Sequence, residues 1–419
     1  MAVKIILLIL FFGVMMGIGV YARKHATDVN GFVLGGRSVG PWLTAFAYGT
    51  SYFSAVVFVG YAGQFGYKYG LASTWIGIGN AVLGSLVAWV VLGRRTRIMS
   101  KHLGSMTMPD FFGKRYDSQS LRIAASVIAF IFLIPYTASV YNGLSYLFGM
   151  AFDVDFRICV VVMAVLTGVY VIIGGYMATA WNDLIQGIIM LFGIVAVIAA
   201  VLSGHGGFMA AVKELAQVPS SVMPGAYASF LGPDPANLFG VVILTSLGTW
   251  GLPQMIQKFY AIKDEKAVHT GTIISTLFAI VVSGGCYFLG GFSRISGVKE
   301  AVDGTVKYDT IIPTMLSSLP DILIGIVIVL VLSASMSTLS SLVLTSSSTL
   351  TLDFIKPLFV KKMNEKQQLV WMRVLLAGFI LISVVIALDP PAFIAQLMGI
   401  SWGALAGAFL ALFLYGLYW

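Results

Sequence analysis

Eleven stretches of this chain are long and apolar enough to cross a lipid bilayer, and that constrains its fold more than any other feature. A span takes about 20 apolar residues. The runs fall roughly at 3–21, 41–63, 73–93, 120–150, 156–177, 181–203, 237–260, 270–292, 319–354, 368–388 and 391–417. Hydrocarbon offers no water to satisfy backbone groups, so such segments are helices. Of 419 residues, 58% are hydrophobic and 10% charged, against about 25% charged in a soluble domain. This excludes a soluble enzyme, a disordered protein and a nucleic-acid module. The run from Ile5 to Val20 is too long for a cleaved signal peptide and is followed by Arg23 and Lys24 with no small-residue cleavage site, so it reads as a retained anchor.

The formal net charge of +8 sits in short loops between the runs, where the membrane surface explains it. Alternating the connections puts 18 of the 25 lysines and arginines on one side, Lys258 and Arg373 among them, and 7 on the other, including Lys4, Lys299 and Lys307. The richer side is cytoplasmic. The chain is therefore expected to be a multi-pass plasma-membrane protein with its N-terminus outside and the loops 204–236 and 293–318 extracellular. Cys159 and Cys286 both lie inside apolar runs, as small buried hydrophobes without a disulfide framework or metal cluster.

The runs divide into an extra helix with its cytoplasmic loop (1–40), a first half (41–203), an extracellular loop (204–236) and a second half (237–419). Five spans per half give the halves opposite topology, the inverted repeat of secondary transporters, whose sites lie where matching helices are interrupted. The first helix of each half has such an interruption: Tyr48-Gly49-Thr50-Ser51-Tyr52-Phe53-Ser54 in one and Gly248-Thr249-Trp250-Gly251-Leu252-Pro253 in the other. Glycine and proline loosen a helix, and unwound backbone at membrane depth survives only where it lines a cavity or is buried in protein. Its freed carbonyls are suited to a cation and its half-helix ends to a substrate. An ordinary packing kink is the alternative for one helix; two matching breaks favour function.

Nearly all acidic residues fall in loops or at span ends; Asp183, in Trp181-Asn182-Asp183-Leu184-Ile185-Gln186, is the exception. It reads either as an ion-binding acid or as a helix cap. The segment 333–351 favours ions, since twelve of its 19 residues carry hydroxyls. Ala334, Ser337, Thr338 and Ser341 share one helical stripe by i, i+3, i+4 spacing, with Ser340 beside it. Such hard oxygen ligands suit small hard cations rather than transition metals. The four histidines, His25, His102, His205 and His269, lie in loops. Close packing of small residues would be served as well by glycine and alanine.

These residues resemble the sodium:solute symporter family. The likeness is carried by Leu34-Gly35-Gly36-Arg37-Ser38-Val39-Gly40-Pro41-Trp42, Met108-Pro109-Asp110-Phe111-Phe112-Gly113-Lys114-Arg115, Trp181-Asn182-Asp183-Leu184-Ile185-Gln186 and Ser335-Met336-Ser337-Thr338-Leu339-Ser340-Ser341, in the family's order along almost the whole chain. The first and last look most like the proline branch. The resemblance implies an all-α integral membrane fold of about 11 spans, with a leucine-transporter-type 5+5 inverted-repeat core behind one extra helix. It implies a first Na+ held by Thr50 and Phe53 carbonyls, the Ala334 carbonyl, and the Ser337 and Thr338 hydroxyls. A second Na+, which some members bind, falls to Asp183, Ser337, Ser340 and Ser341, so one or two ions are expected. Val56 and Val57 stand where sugar carriers have polar and acidic groups. Tyr52 replaces the aspartate of the proline carriers, and Thr245 and Thr249 replace their aromatics. Relatives usually carry one to three more helices after the core, so the chain reads as ending early at Trp419.

The expected function is sodium-coupled import of a small organic solute by alternating access. The solute is an amino acid such as proline or a small carboxylate; monocarboxylate, pantothenate or sialic acid carriers are alternatives. Substrate would fill the space near Ser51, Ser54, Tyr136, Trp250 and Gln254, although Tyr136 and Trp250 serve equally well as packing. A passive channel, which more often shows a charge ring or carbonyl filter, or a membrane sensor is the reading of a different class. The expected partners are the solute and membrane lipid, with no nucleic acid, and the chain is expected to work as a monomer. No nucleophile–base pair points to an enzyme.

Overall fold

The computed structural model describes residues 2–152, 154–297 and 306–419, with side chains from Lys4 onward. Lys299 and part of the 293–318 loop lie outside the described residues. Within them the chain is helical, and the sole strand-like pairing is one parallel bridge between Val39 and Ile262. Among the described residues eight helices are long and apolar enough to cross a membrane, or nine when Pro235–Gly251 and Pro253–Ala261, bent by 52°, are taken as one span.

Two expected pairs of runs are joined by tight bends rather than by loops. Val56–His102 joins the end of the 41–63 run to the 73–93 run, and Phe156–Gly204 contains both 156–177 and 181–203. A glycine with left-handed φ interrupts each: Gly70 (φ 61°, ψ −142°) and Gly175 (φ 57°, ψ −152°). A Cβ on Gly175 would lie 3.0 Å from the Phe32 carbonyl oxygen, so both conformation and space require glycine there.

Local chemistry sets many of the boundaries. Prolines open Pro41–Tyr52, Pro235–Leu247 and Pro253–Ala261, where the missing N–H costs nothing. Side chains of Asp28, Thr107 and Asp264 cap the helices that follow them, and Asn364 and Gln367 form a reciprocal capping box.

The helix Asp321–Thr349 runs through the middle. Every residue from Leu330 to Thr349 is buried, against the Phe156–Gly204, Gln119–Phe152, Pro41–Tyr52 and Glu365–Leu388 helices. Its hydroxyls therefore never face lipid. The outward faces of the bundle carry Ile9, Val90, Phe192 and Leu381, all more than half exposed, as lipid-facing positions should be.

Two sequence readings need correction. Asp183 is not the sole acid drawn inside: Asp353 is fully buried and Asp110 nearly so. Arg122 bridges them, its Nε donating to Asp353 at 2.8 Å and its Nη2 lying 3.1 Å from Asp110 Oδ1. Lys258 is not a loop lysine, for it is 1% exposed. Lys258 and Asp353 each lie at the end of a long apolar run, so position in sequence made them look like span ends.

Candidate functional site

The first broken helix stops at Phe53 (φ −102°, ψ 81°). The chain restarts when Ser54 Oγ accepts the Val56 N–H at 3.2 Å. The break falls against the buried hydroxyl stripe. Ser337 Oγ lies 3.1 Å from the Thr50 carbonyl oxygen and 3.2 Å from that of Ala334, and Thr338 Oγ1 lies 3.2 and 3.1 Å from the same two. Four oxygens from two helices thus form a closed ring, with Phe53 at the same break. Were that ring planar, its edges of about 3.15 Å would put the centre about 2.2 Å from each oxygen, just short of the 2.3–2.6 Å of a hard-cation bond such as Ca²⁺–O. Opening it by a few tenths of an ångström would bring the four oxygens to that bond length. The two hydroxyls now donate to the carbonyls; a cation would turn their protons outward and take their lone pairs.

One helical turn further along the stripe the chemistry changes. Ser341 Oγ is 2.8 Å from Ser51 Oγ and accepts from Lys258 Nζ at 2.9 Å. That ammonium also lies 4.0 Å from Asp183 Oδ2 and 5.2 Å from the centre of the Tyr176 ring. Both Asp183 oxygens are buried without a hydrogen-bond partner. Ser340 donates to Ser337 O in its own helix at 2.8 Å. Asp183 reaches this place because its helix packs on the broken turn: a Cβ on Gly187 would sit 3.1 Å from Thr50 Cγ2.

The five expected substrate residues do not converge equally. Ser51 turns to Ser341 and Ser54 caps its own helix. Trp250 Nε1 donates to Leu83 O at 3.1 Å. Gln254, fully buried, has both amide atoms unpartnered, as has the Tyr136 hydroxyl. Tyr136 stands edge-on to Trp402, centroids 5.9 Å apart, and Trp402 in turn faces Tyr52 at 5.8 Å. Tyr52 links the two broken helices, its hydroxyl donating to Thr245 O at 2.6 Å.

The profile of the sodium:solute symporter family matches residues 32–419. The chain belongs to the sodium:solute symporter family. This symporter is 29% identical over 425 residues to the osmoregulated proline transporter OpuE of Bacillus subtilis, covering 100% of this chain and 85% of that one. It is 30% identical over 428 residues to sodium/proline symporter 2 of Staphylococcus saprophyticus, with 99% and 81% covered. A Na+-coupled sialic acid symporter, solved substrate-bound and outward-open, superposes with a TM-score of 0.79 at 17% identity, over 99% of this chain and 87% of that one. MhsT in complex with L-phenylalanine gives 0.58 at 14% identity, with 90% and 87% covered. Those two likenesses concern fold. The symporter is a sodium-using membrane transporter and not an enzyme.

Sequence reasoning missed two residues of this symporter's centre. Trp402 carries no local signal, being one aromatic in an apolar run. Lys258 had one: a lysine five positions after Pro253, on a short helix continuing the second break.

Proposed function

We propose that this symporter imports a small zwitterionic or monocarboxylate solute, with proline the first candidate, together with one Na+ per cycle. The supporting observation is the four-oxygen ring of Thr50, Ala334, Ser337 and Thr338. It joins the broken helix to the stripe without any fixed negative charge among the four, as suits a monovalent ion that must also leave. Phe53 adds the fifth oxygen through its carbonyl. The proline reading is supported by the names of the relatives above and by the absence of a charged side chain among Tyr136, Gln254 and Trp402. A neutral, unpaired amide and phenol suit a solute that brings both its own charges; its carboxylate would meet the free N–H groups of a half-helix.

The architecture proposed with it is eleven spans. The breaks at Gly70 and Gly175 each divide a long helix, the two broken helices count once each, and the ten core helices form two inverted sets of five behind the first. More lysine and arginine on one side puts the N-terminus outside. In the cycle, Na+ draws the Thr50 turn onto the stripe and favours the state open to the outside. Solute then closes the pocket, and the bundle opens inward. Ligands drive this only through different affinities for the two states.

Counterflow tests the reading. Proteoliposomes loaded with unlabelled proline should accumulate labelled proline in Na+ and not in choline. If no amino acid or short carboxylate exchanges, or if Na+ current flows without exchange, the proposal fails in favour of a channel.

A further inference from the structure

We infer that the Lys258 ammonium is a tethered cation standing in the place of a second sodium ion, and that it fixes the coupling at one Na+ per solute. This deepens the one-sodium reading above and rests on it.

Asp183 and Ser341 are the acid and the hydroxyl that a second ion would use. The Lys258 ammonium lies between them, 2.9 Å from Ser341 Oγ and 4.0 Å from Asp183 Oδ2, with the Tyr176 ring 5.2 Å away. Lys258 is 1% exposed and Asp183 is fully buried. Hydroxyl, carboxylate and ring face are the partners that a buried monovalent cation wants.

An ordinary structural ion pair explains less. Such a pair closes to about 2.7–2.9 Å, whereas this one stands at 4.0 Å and leaves both carboxylate oxygens without a hydrogen bond. A buried pair is also weak evidence of stabilisation, since desolvation offsets its attraction. What the arrangement does supply is fixed positive charge one turn from the first ring. Lys258 Nζ, Ser341 Oγ and Ser51 Oγ form a chain of hydrogen bonds, and Ser51 follows Thr50, whose carbonyl belongs to the ring. Lys258 lies on the second half of the second broken helix, Ser51 on the first. The ammonium therefore ties both breaks to the stripe, as a bound ion would, but it travels with the protein and is never released. Charge moved per cycle falls by one relative to a two-sodium carrier.

The test counts ions rather than transport. Purified full-length protein is equilibrated with ²²Na+, and bound ions per protein are measured at saturation. Wild type should bind one. Lys258→Met, or Lys258→Gln if the methionine variant is not monodisperse, should bind two, because the acid and hydroxyl are then open to a diffusible ion. The doubly changed Lys258→Met/Asp183→Asn should return to one. In the wild-type background Asp183→Asn should leave the count at one, since the cation beside it is the lysine. Two ions bound by wild type, one still bound by a folded Lys258 variant, or loss of the ion in Asp183→Asn alone would each overturn the inference. Wild type binding none while Lys258→Met gains one would sink the first-site reading and the one-to-one coupling with it, while upholding Lys258 as the stand-in for an ion beside Asp183.

Discussion

Removing a hydroxyl from the oxygen ring should raise the sodium requirement without removing the fold. Take Ser337→Ala. The Thr50 and Ala334 carbonyls, 3.1 and 3.2 Å from that hydroxyl, keep Thr338 as their remaining side-chain neighbour in the ring. A polar contact to a charged group contributes about 1.5–3 kcal/mol. At about 1.4 kcal/mol per decade, each lost hydroxyl should raise the Na+ concentration for half-maximal uptake roughly 12- to 140-fold. Thr338→Ala should do the same, and the two together should add to less than their sum, because they share both carbonyls. Thr338→Ser keeps the oxygen and should stay within about threefold by the same reasoning. The assay is labelled-solute uptake into proteoliposomes against external Na+ at fixed ionic strength, with thermal stabilisation by Na+ in detergent as the transport-free companion. Half-maximal sodium within twofold of wild type for both alanine variants would refute the ring as the ion's site.

Three further outcomes follow from geometry elsewhere. Burial pushes the Asp309 carboxyl up to about 6, offset in part by the Ile394 N–H it accepts. Its folded value exceeds the unfolded one near 3.8, so its charge destabilises the folded state at neutral pH. Melting temperature should therefore rise as pH falls from 7 toward 4, by at most about 3 kcal/mol of stability, and Asp309→Asn should flatten that slope; an unchanged slope in the variant would count against the assignment. Arg122→Ala should cost about 3 kcal/mol or more by leaving buried Asp353 unpaired, and adding Asp353→Asn should recover much of the loss, read as detergent melting temperature in a double-mutant cycle. Gly66→Leu should abolish the monodisperse peak in size-exclusion chromatography, because its Cβ would collide with the Gly290 backbone, and a Cβ on Gly290 with that of Ala62.

The sequence made legible what repeats locally. Run lengths exposed the helices, paired Gly and Pro breaks located both interruptions, and the Ser/Thr density of 333–351 pointed to the ring of Ala334, Ser337 and Thr338. It hid what depends on a helix's rotation about its own axis. Lys258 and Asp353 end apolar runs, where a long polar side chain ordinarily reaches out to water; only the bundle shows that both point inward. The same holds for Ser51, whose hydroxyl faces Ser341 rather than the pocket, and for Trp402, which the sequence could not distinguish from its neighbours in the last run. Gly70 and Gly175 break the chain where hydropathy also separates two runs, but the positive φ that makes each break a tight bend rather than a loop has no signature in apolar content.

The small bridge between Val39 and Ile262 bears on how the molecule moves. Val39 donates its N–H to Ala261 O at 3.2 Å and accepts the Lys263 N–H at 3.0 Å, while Gln257 Nε2 holds Val33 O at 2.8 Å. The segment leading into one broken helix is thereby buttoned, main chain to main chain, onto the tail of the other. A pathway on that face opens either by undoing both fastenings at once or by swinging the two segments as a single lever. Amide exchange at Lys263 tells these apart: rapid exchange during turnover marks an unlatching gate, and lasting protection marks a hinge whose two leaves never part.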